Sequence, residues 1–189
     1  VLLLHFLASW LGSRSMQQWL MIAGVPLAIL SAVYTAYLFA QAKARDMWQN
    51  PLLPPHLLVQ AFLLGSATLL PFAAGYELSA RLGSGIVTYL LSLLAGSTLL
   101  HVLMVWGEVS LTHATAHARL ANWEMLQGRY KNDFWIGMGV SILGGLLPWL
   151  ALLEYISTPL GIGGVPLALI GLILYENAYV QAGQSVPLA

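Results

Sequence analysis

The chain contains no cysteine. It therefore supplies no disulfide, no iron–sulfur ligation and no covalent attachment point for haem, and any such centre must sit on a partner. Charge is almost as scarce. Asp, Glu, Lys and Arg make up 7% of the 189 residues, where a soluble domain carries about a quarter. The seven basic and seven acidic residues cancel, and no basic stripe or tail marks a nucleic-acid surface. What is present instead is apolar: hydrophobic residues make up 59% of the chain.

These residues gather in five long runs, 19–42, 57–76, 86–107, 134–153 and 161–180, which are free of charge apart from Glu176. Each is about 20 residues or longer, and a rise of about 1.5 Å per residue carries that length across a hydrocarbon core of about 30 Å. Lipid offers the backbone no partners, so the runs are predicted to be helices. The fold class is an all-α integral membrane protein, a multi-span bundle of five helices plus the end of an earlier one. Residues 1–18 read as the end of that preceding helix and a loop, because Val1–Leu11 is apolar but too short to span. The bundle occupies 19–183, with spans near 19–42, 57–76, 86–111, 134–153 and 161–180, and 184–189 form a tail. The chain so divided reads as the C-terminal part of a longer protein.

Connections 43–56 and 112–133 hold Lys43, Arg45, Arg119, Arg129 and Lys131, whereas Arg14 and Arg81 fall on the opposite side. The positive-inside rule places the first group, and with it the C-terminus, in the cytoplasm of a bacterial cell bounded by the inner membrane. Lys43, Arg45, Glu77 and Glu154 stand at span ends, where interfacial anchoring accounts for them. Gly137, Ser141 and Gly145 form a small-residue ridge of the kind that lets helices approach closely in lipid. No proline interrupts 86–127. A helix that long either runs out into the cytoplasm or bends at Gly107 to lie along the interface, and Gly128 is placed to cap it.

Polar groups inside spans are costly and need a reason. His101 lies well inside the third run, and Glu108, seven residues on, shares its helix face. His113, His117 and Glu124 continue the series. His101, Glu108, His113, His117 and Glu124 are accordingly candidates for a proton path, since imidazole titrates near neutrality and passes protons on. The alternative is a cross-helix hydrogen bond from His101, with the remainder an interfacial face. A metal site is not expected. Haem spanned by two histidines takes ligands from different helices, and His101, His113 and His117 fall on one. Glu176, beside Tyr175 and Tyr179, can snorkel, hydrogen-bond across helices, or with those tyrosines hold a quinone head group.

Residues 44–54 read Ala-Arg-Asp-Met-Trp-Gln-Asn-Pro-Leu-Leu-Pro, and the next span contains Phe62-Leu63-Leu64-Gly65-Ser66-Ala67. Phe134-Trp135-Ile136-Gly137 opens the fourth span, and residues 179–188 read Tyr-Val-Gln-Ala-Gly-Gln-Ser-Val-Pro-Leu. In that order the four segments resemble the NrfD-type, polysulfide-reductase membrane-subunit family over roughly residues 19–188, with Gln181 where the family has arginine. The long helix bearing His101, Glu108, His113 and His117 is most similar to the alternative complex III members. The resemblance implies two four-helix bundles, of which this chain holds mainly the second. It implies a membrane subunit, without cofactors of its own, in a quinone-linked respiratory complex. Its partners would be an extracytoplasmic iron–sulfur subunit, other membrane subunits and the lipid bilayer, with iron–sulfur clusters or haems on those partners. Quinol or quinone is the substrate, and proton translocation is an expected accompaniment. The family's quinone contacts lie in the first bundle, so no quinone residue carries over by position. A permease built on an inverted repeat and an inert membrane anchor are the competing readings.

Overall fold

The computed structural model describes residues 1–75, 83, 85–111 and 113–187. Glu77 and Arg81, assigned above to the outer end, lie outside the described residues, as do Thr112 and Leu188. The elements in order are α1 (Leu2–Trp10), α2 (Arg14–Ala40), a 3-10 turn (Asp46–Gln49), α3 (Leu53–Ala73), α4 (Gly85–Ser110), α5 (Ala116–Leu126), α6 (Lys131–Leu152), α7 (Thr158–Ile162) and α8 (Gly164–Ser185). There is no strand among the described residues. Among the described residues, five segments are long and apolar enough to cross a membrane: α2, α3, α4, α6, and α7 with α8. The all-α membrane bundle expected from hydropathy is therefore the fold.

The spans start and stop at different residues from the apolar runs. Helices α2, α3 and α6 begin three to five residues earlier than their runs, because polar or proline residues fit a first turn whose N–H groups have no helical partner anyway. Pro54 and Pro55 occupy that position in α3. Helix α8 continues five residues past Val180, absorbing part of the expected tail. Its last carbonyls are not left to water: Arg45 Nη1 donates to Gly183 O at 3.1 Å and Val186 O at 2.6 Å. A guanidinium at a helix C-terminus also opposes the negative end of the macrodipole. Arg45 is thus more than an interfacial anchor.

The long helix expected over 86–127 is two helices. Helix α4 ends at Ser110, and α5 starts afresh at Ala116. Gly107 lies inside α4 and is no hinge. The break has a local cause in Thr115, whose hydroxyl accepts from Ala118 N at 3.1 Å and so caps α5. Gly128 follows α5 without left-handed backbone. It is needed instead for close approach, since a Cβ there would meet Glu124 Oε2 at 2.5 Å.

The core is a bundle of α3, α4, α6 and α8, and α6 lies closest against α8. Gly137 approaches the backbone of Gly171 and Tyr175, and Ser141 and Gly144 meet Gly171 and Ala168. A Cβ on Gly137 would stand 2.8 Å from Tyr175 N. The ridge at 137, 141 and 145 does allow close approach, but it splits. Each step of four residues turns a helix about 40° past a full turn, so Gly145 faces Thr98 of α4 instead. Helices α1 and α2 stand at the side. Gly12, with φ +68°, makes the reversal between them in backbone that glycine adopts freely.

Helices α2, α4 and α8 end, and α3 and α6 begin, at one end of the bundle. There the 3-10 turn packs on α5 and α8. Glu154 is exposed at the other end, just past α6.

Candidate functional site

Eight polar residues are 5% exposed or less in the bundle: His56, Gln60, Ser66, Ser97, Thr98, His101, Glu108 and Ser141. The hydroxyls of Ser66, Ser97 and Thr98 return to carbonyls of their own helix, at 2.6–3.2 Å, and so concern only local backbone. The imidazoles, amides and carboxyls do something else: they bond across helices.

Four elements deliver them to one place near the α5 end. Helix α3 brings His56 and Gln60 from its first two turns, four residues apart and hence on one face. Helix α4 brings His101 and Glu108, two turns apart on its inward face. Helix α8 brings Tyr175, Glu176 and Tyr179, and the connection before α3 brings Asn50. His56 is the node. Its Nε2 lies 2.8 Å from His101 Nδ1, its Nδ1 lies 3.8 Å from Glu108 Oε2, and Gln60 Nε2 stands 3.5 Å from its Nε2. Gln60 Nε2 donates to Glu176 Oε1 at 2.5 Å. Asn50 Nδ2 donates to Glu108 Oε1 at 2.7 Å, and Asn50 Oδ1 accepts from Leu52 N at 3.0 Å. Tyr175 closes the far side, its ring edge-on to His101 at 4.9 Å and tilted over His56 at 5.7 Å. Tyr179 donates its hydroxyl to Met47 O at 3.1 Å, tying α8 to the 3-10 turn.

The network opens in two directions. Glu108 lies at the floor of a cleft of about 420 Å³ at the α5 end, whose polar lining includes Asp46, Asn50 and His113. Glu176 is half-buried on the flank of α8, within a membrane span. Towards the other end, Leu63, Leu70, Leu90, Leu91, Leu94 and Leu172 fill the core. His101 Nε2 ends the series without a hydrogen-bond partner.

The five proton-path candidates do not form one descending line. His101 and Glu108 join the network, but through His56, a residue that the sequence argument passed over. His113 lines the cleft outside Glu108. Its partial burial holds the imidazole below the ordinary value. His117 and Glu124 sit on α5, where Glu124 Oε2 accepts from Arg129 N at 3.0 Å. The break after α4 sends that helix in a new direction, so residue spacing no longer predicts a shared face. The trio Tyr175, Glu176 and Tyr179 also divides. Both tyrosines are 2% exposed and sealed by protein, and only Glu176 reaches the surface. His101 and Glu108 from one candidate set and Tyr175, Glu176 and Tyr179 from the other fall together around His56 and Gln60.

The argument against haem needs correcting too. It rested on all membrane histidines sharing a helix, and His56 stands on α3. The obstacle is geometric. Two nitrogens ligating opposite sides of one metal stand roughly 4 Å apart, at about 2 Å per bond, whereas these rings touch at 2.8 Å. Among the described residues no group of three His, Cys, Asp or Glu side chains is arranged to hold a metal ion. His56 and Gln60 had a signal in the sequence: a histidine and an amide four apart at the start of an apolar run. Asn50 had none, since nothing local says that a loop amide meets a carboxyl 58 residues away.

A family model described as polysulphide reductase, NrfD, matches residues 2–184. No curated protein and no solved structure matches the chain.

Proposed function

Because the chain belongs to the NrfD, or polysulphide reductase, family of membrane subunits in quinone-linked respiratory reductase complexes, we propose that its own contribution is a proton path. The path serves quinol oxidation or quinone reduction carried out with an iron–sulfur partner. Protons enter at Glu108 from the cleft, pass to His56 and reach His101, with Gln60 linking the same node to Glu176. His113, at the mouth, is a further exchange group, and His117 and Glu124 shape the surface around it. The observation that carries this reading is the 2.8 Å contact between His56 and His101. It joins buried titratable groups of two spans in lipid, at a distance over which a proton can pass from ring to ring.

An imidazole suits the node because one ring nitrogen accepts while the other donates, so a proton can arrive on Nδ1 and leave from Nε2. Glu176 is the group that a lipid-soluble quinol reaches from the membrane, and Tyr175 and Tyr179 position the network behind it. The chain sits in the bacterial inner membrane with the α5 end and the C-terminus towards the cytoplasm. Five basic residues at that end, against Arg14 and Arg81, support this orientation. The α4 helix bearing His101 and Glu108 supports a role like that of alternative complex III subunits.

The test is quinone-reducing turnover and the accompanying proton uptake by the complex isolated through a tag on this subunit. His56→Ala, His101→Ala and Glu108→Gln should each lower proton uptake and turnover together, while the subunit still assembles. If all three assemble and leave uptake unchanged, the path reading fails and an anchoring role replaces it.

A further inference from the structure

Two of the sequence segments that mark the family had no evident relation, since the residues that meet between them are 132 to 141 positions apart. In the fold they form one joint. Arg45 donates to Gly183 O and Val186 O, at 3.1 and 2.6 Å. Trp48 packs its indole on Gly183, where any Cβ would strike the ring, and Phe39 meets the same indole edge-on at 5.0 Å. Tyr179 donates to Met47 O at 3.1 Å. Every one of these contacts fastens residues 45–48 to the last two turns of α8 or to the end of α2. The segment so fastened leads directly to Asn50, whose amide holds Glu108 Oε1 at 2.7 Å. Beneath it Glu108 is 4% exposed although it lies at the floor of a cleft.

We propose that Asn50 is a positioning residue for the Glu108 carboxyl, and that Arg45, by tying the 45–50 segment to the C-terminal end of α8, keeps Asn50 in place over it. The two segments are then the two halves of one clasp at the mouth of the network. The physical argument is one of reach. Asn50 sits in a connection, which is free to move unless tethered. A single amide contact would not hold it against water at the membrane surface. Arg45 Nη1, a single charged nitrogen donating to two carbonyls at the end of α8, holds the segment there, and the Asn50 Oδ1 bond to Leu52 N at 3.0 Å sets the rotamer that presents the amide to Glu108. Gly183 belongs to the same joint, because only a residue without a Cβ admits Trp48.

This inference rests on Glu108 being the buried entry group of the proposed path, but its test needs no turnover. Dicyclohexylcarbodiimide modifies carboxyls that lie in apolar surroundings. The intact complex in lipid nanodiscs is treated with it, and the labelling of Glu108 and Glu176 is read separately by peptide mass spectrometry. Glu176, in the same network but held by Gln60, is the internal control. In Asn50→Ala and Arg45→Ala the labelling rate of Glu108 should rise roughly tenfold, as expected for the loss of one hydrogen bond to a charged group, while Glu176 is unchanged. Arg45→Lys, which keeps the charge but has a shorter reach and a differently shaped head group, should fall between Arg45→Ala and the parent. Equal rises at both carboxyls, or no rise at Glu108 in either variant, overturn the proposal. A rise in Asn50→Ala alone overturns the tie to Arg45. If Arg45→Ala fails to assemble, Asn50→Ala and Arg45→Lys decide the matter by the same two outcomes. Failure of the proton-path reading would show differently, as unchanged proton uptake in Glu108→Gln while Asn50→Ala and Arg45→Ala, each with Glu108 in place, still raise its labelling.

Discussion

Helices α2 and α8 have the same length class, the same hydropathy and even the same small-residue spacing, yet they are used in opposite ways. Mean hydropathy over the most apolar window is 1.8 both in α2 and in the span that α7 forms with α8, but 6% of that window is buried in α2 and 39% in the α7–α8 span. On α8 the residues Gly164, Ala168, Gly171, Tyr175, Ala178 and Ala182 form a seam that is buried throughout. On α2 the comparable positions Gly24, Ala28, Ser31 and Ala32 line an open groove of about 940 Å³ with α1, and Ala36 is the buried residue. The difference teaches what packs helices in lipid. Apolar character gives no preference for another helix over the acyl chains. A small-residue seam packs when the facing helix has matching gaps, as α6 has at Gly137, Ser141 and Gly144. Polar groups that need each other then fix which helices meet, and α8 carries three residues of the network while α2 carries none.

The largest test of this contrast is Gly171→Leu. Its side chain would be driven into Ser141 and the Gly137 carbonyl, and overpacking against backbone should cost about 3 kcal/mol or more. Thermal denaturation of the isolated complex should show a marked drop, and a shift of a degree or less would break the argument for the seam. His56→Ala comes next. It leaves His101 and Glu108 short of a buried partner, at a cost of about 1–3 kcal/mol; stability that matches the parent would mean that the network contributes nothing to joining α3 and α4. The matched change on the other region is Gly24→Leu. There a Cβ meets nothing nearer than Val1 Cγ1 at 3.5 Å, so the same denaturation assay should move by no more than about 0.5 kcal/mol. A loss as large as that of Gly171→Leu would show that α2 is packed as tightly as α8 in the assembled complex.

The smallest expected effect concerns His113, at the rim between the network and water. Partial burial depresses its imidazole below 6.5, so below that value the unfolded chain binds more protons than the folded one. The associated stability is complete above pH 6.5 and declines as pH falls through the lower folded value. His113→Gln should remove a shallow acid-side slope from the dependence of denaturation temperature on pH. An unaltered slope would assign it to other groups.

How much of this was legible beforehand can be followed through particular residues. The number, helical nature and approximate position of the spans followed from hydropathy, because each depends on about 20 consecutive residues and on the thickness of the bilayer. The value of Gly137 and Ser141 as close-approach positions was legible for the same local reason. The break between α4 and α5 was less so: Thr115 is a good cap, but caps matter only where tertiary contacts do not prefer a longer helix. The shared helix face expected for the series stops before His113, since spacing along a helix says nothing beyond the helix's end.

By itself, then, the sequence determined that this is a five-span membrane subunit whose core is closed by small residues, and which rare polar groups stand inside lipid. Only the tertiary structure decided which of those groups meet. His56 and His101 are separated by 45 residues, Asn50 and Glu108 by 58, and Gln60 and Glu176 by 116. Hydropathy is a sum along the chain and survives any rotation of a helix about its axis. A hydrogen bond of 2.8 Å does not, because it requires two helices to share depth, rotation and distance at once.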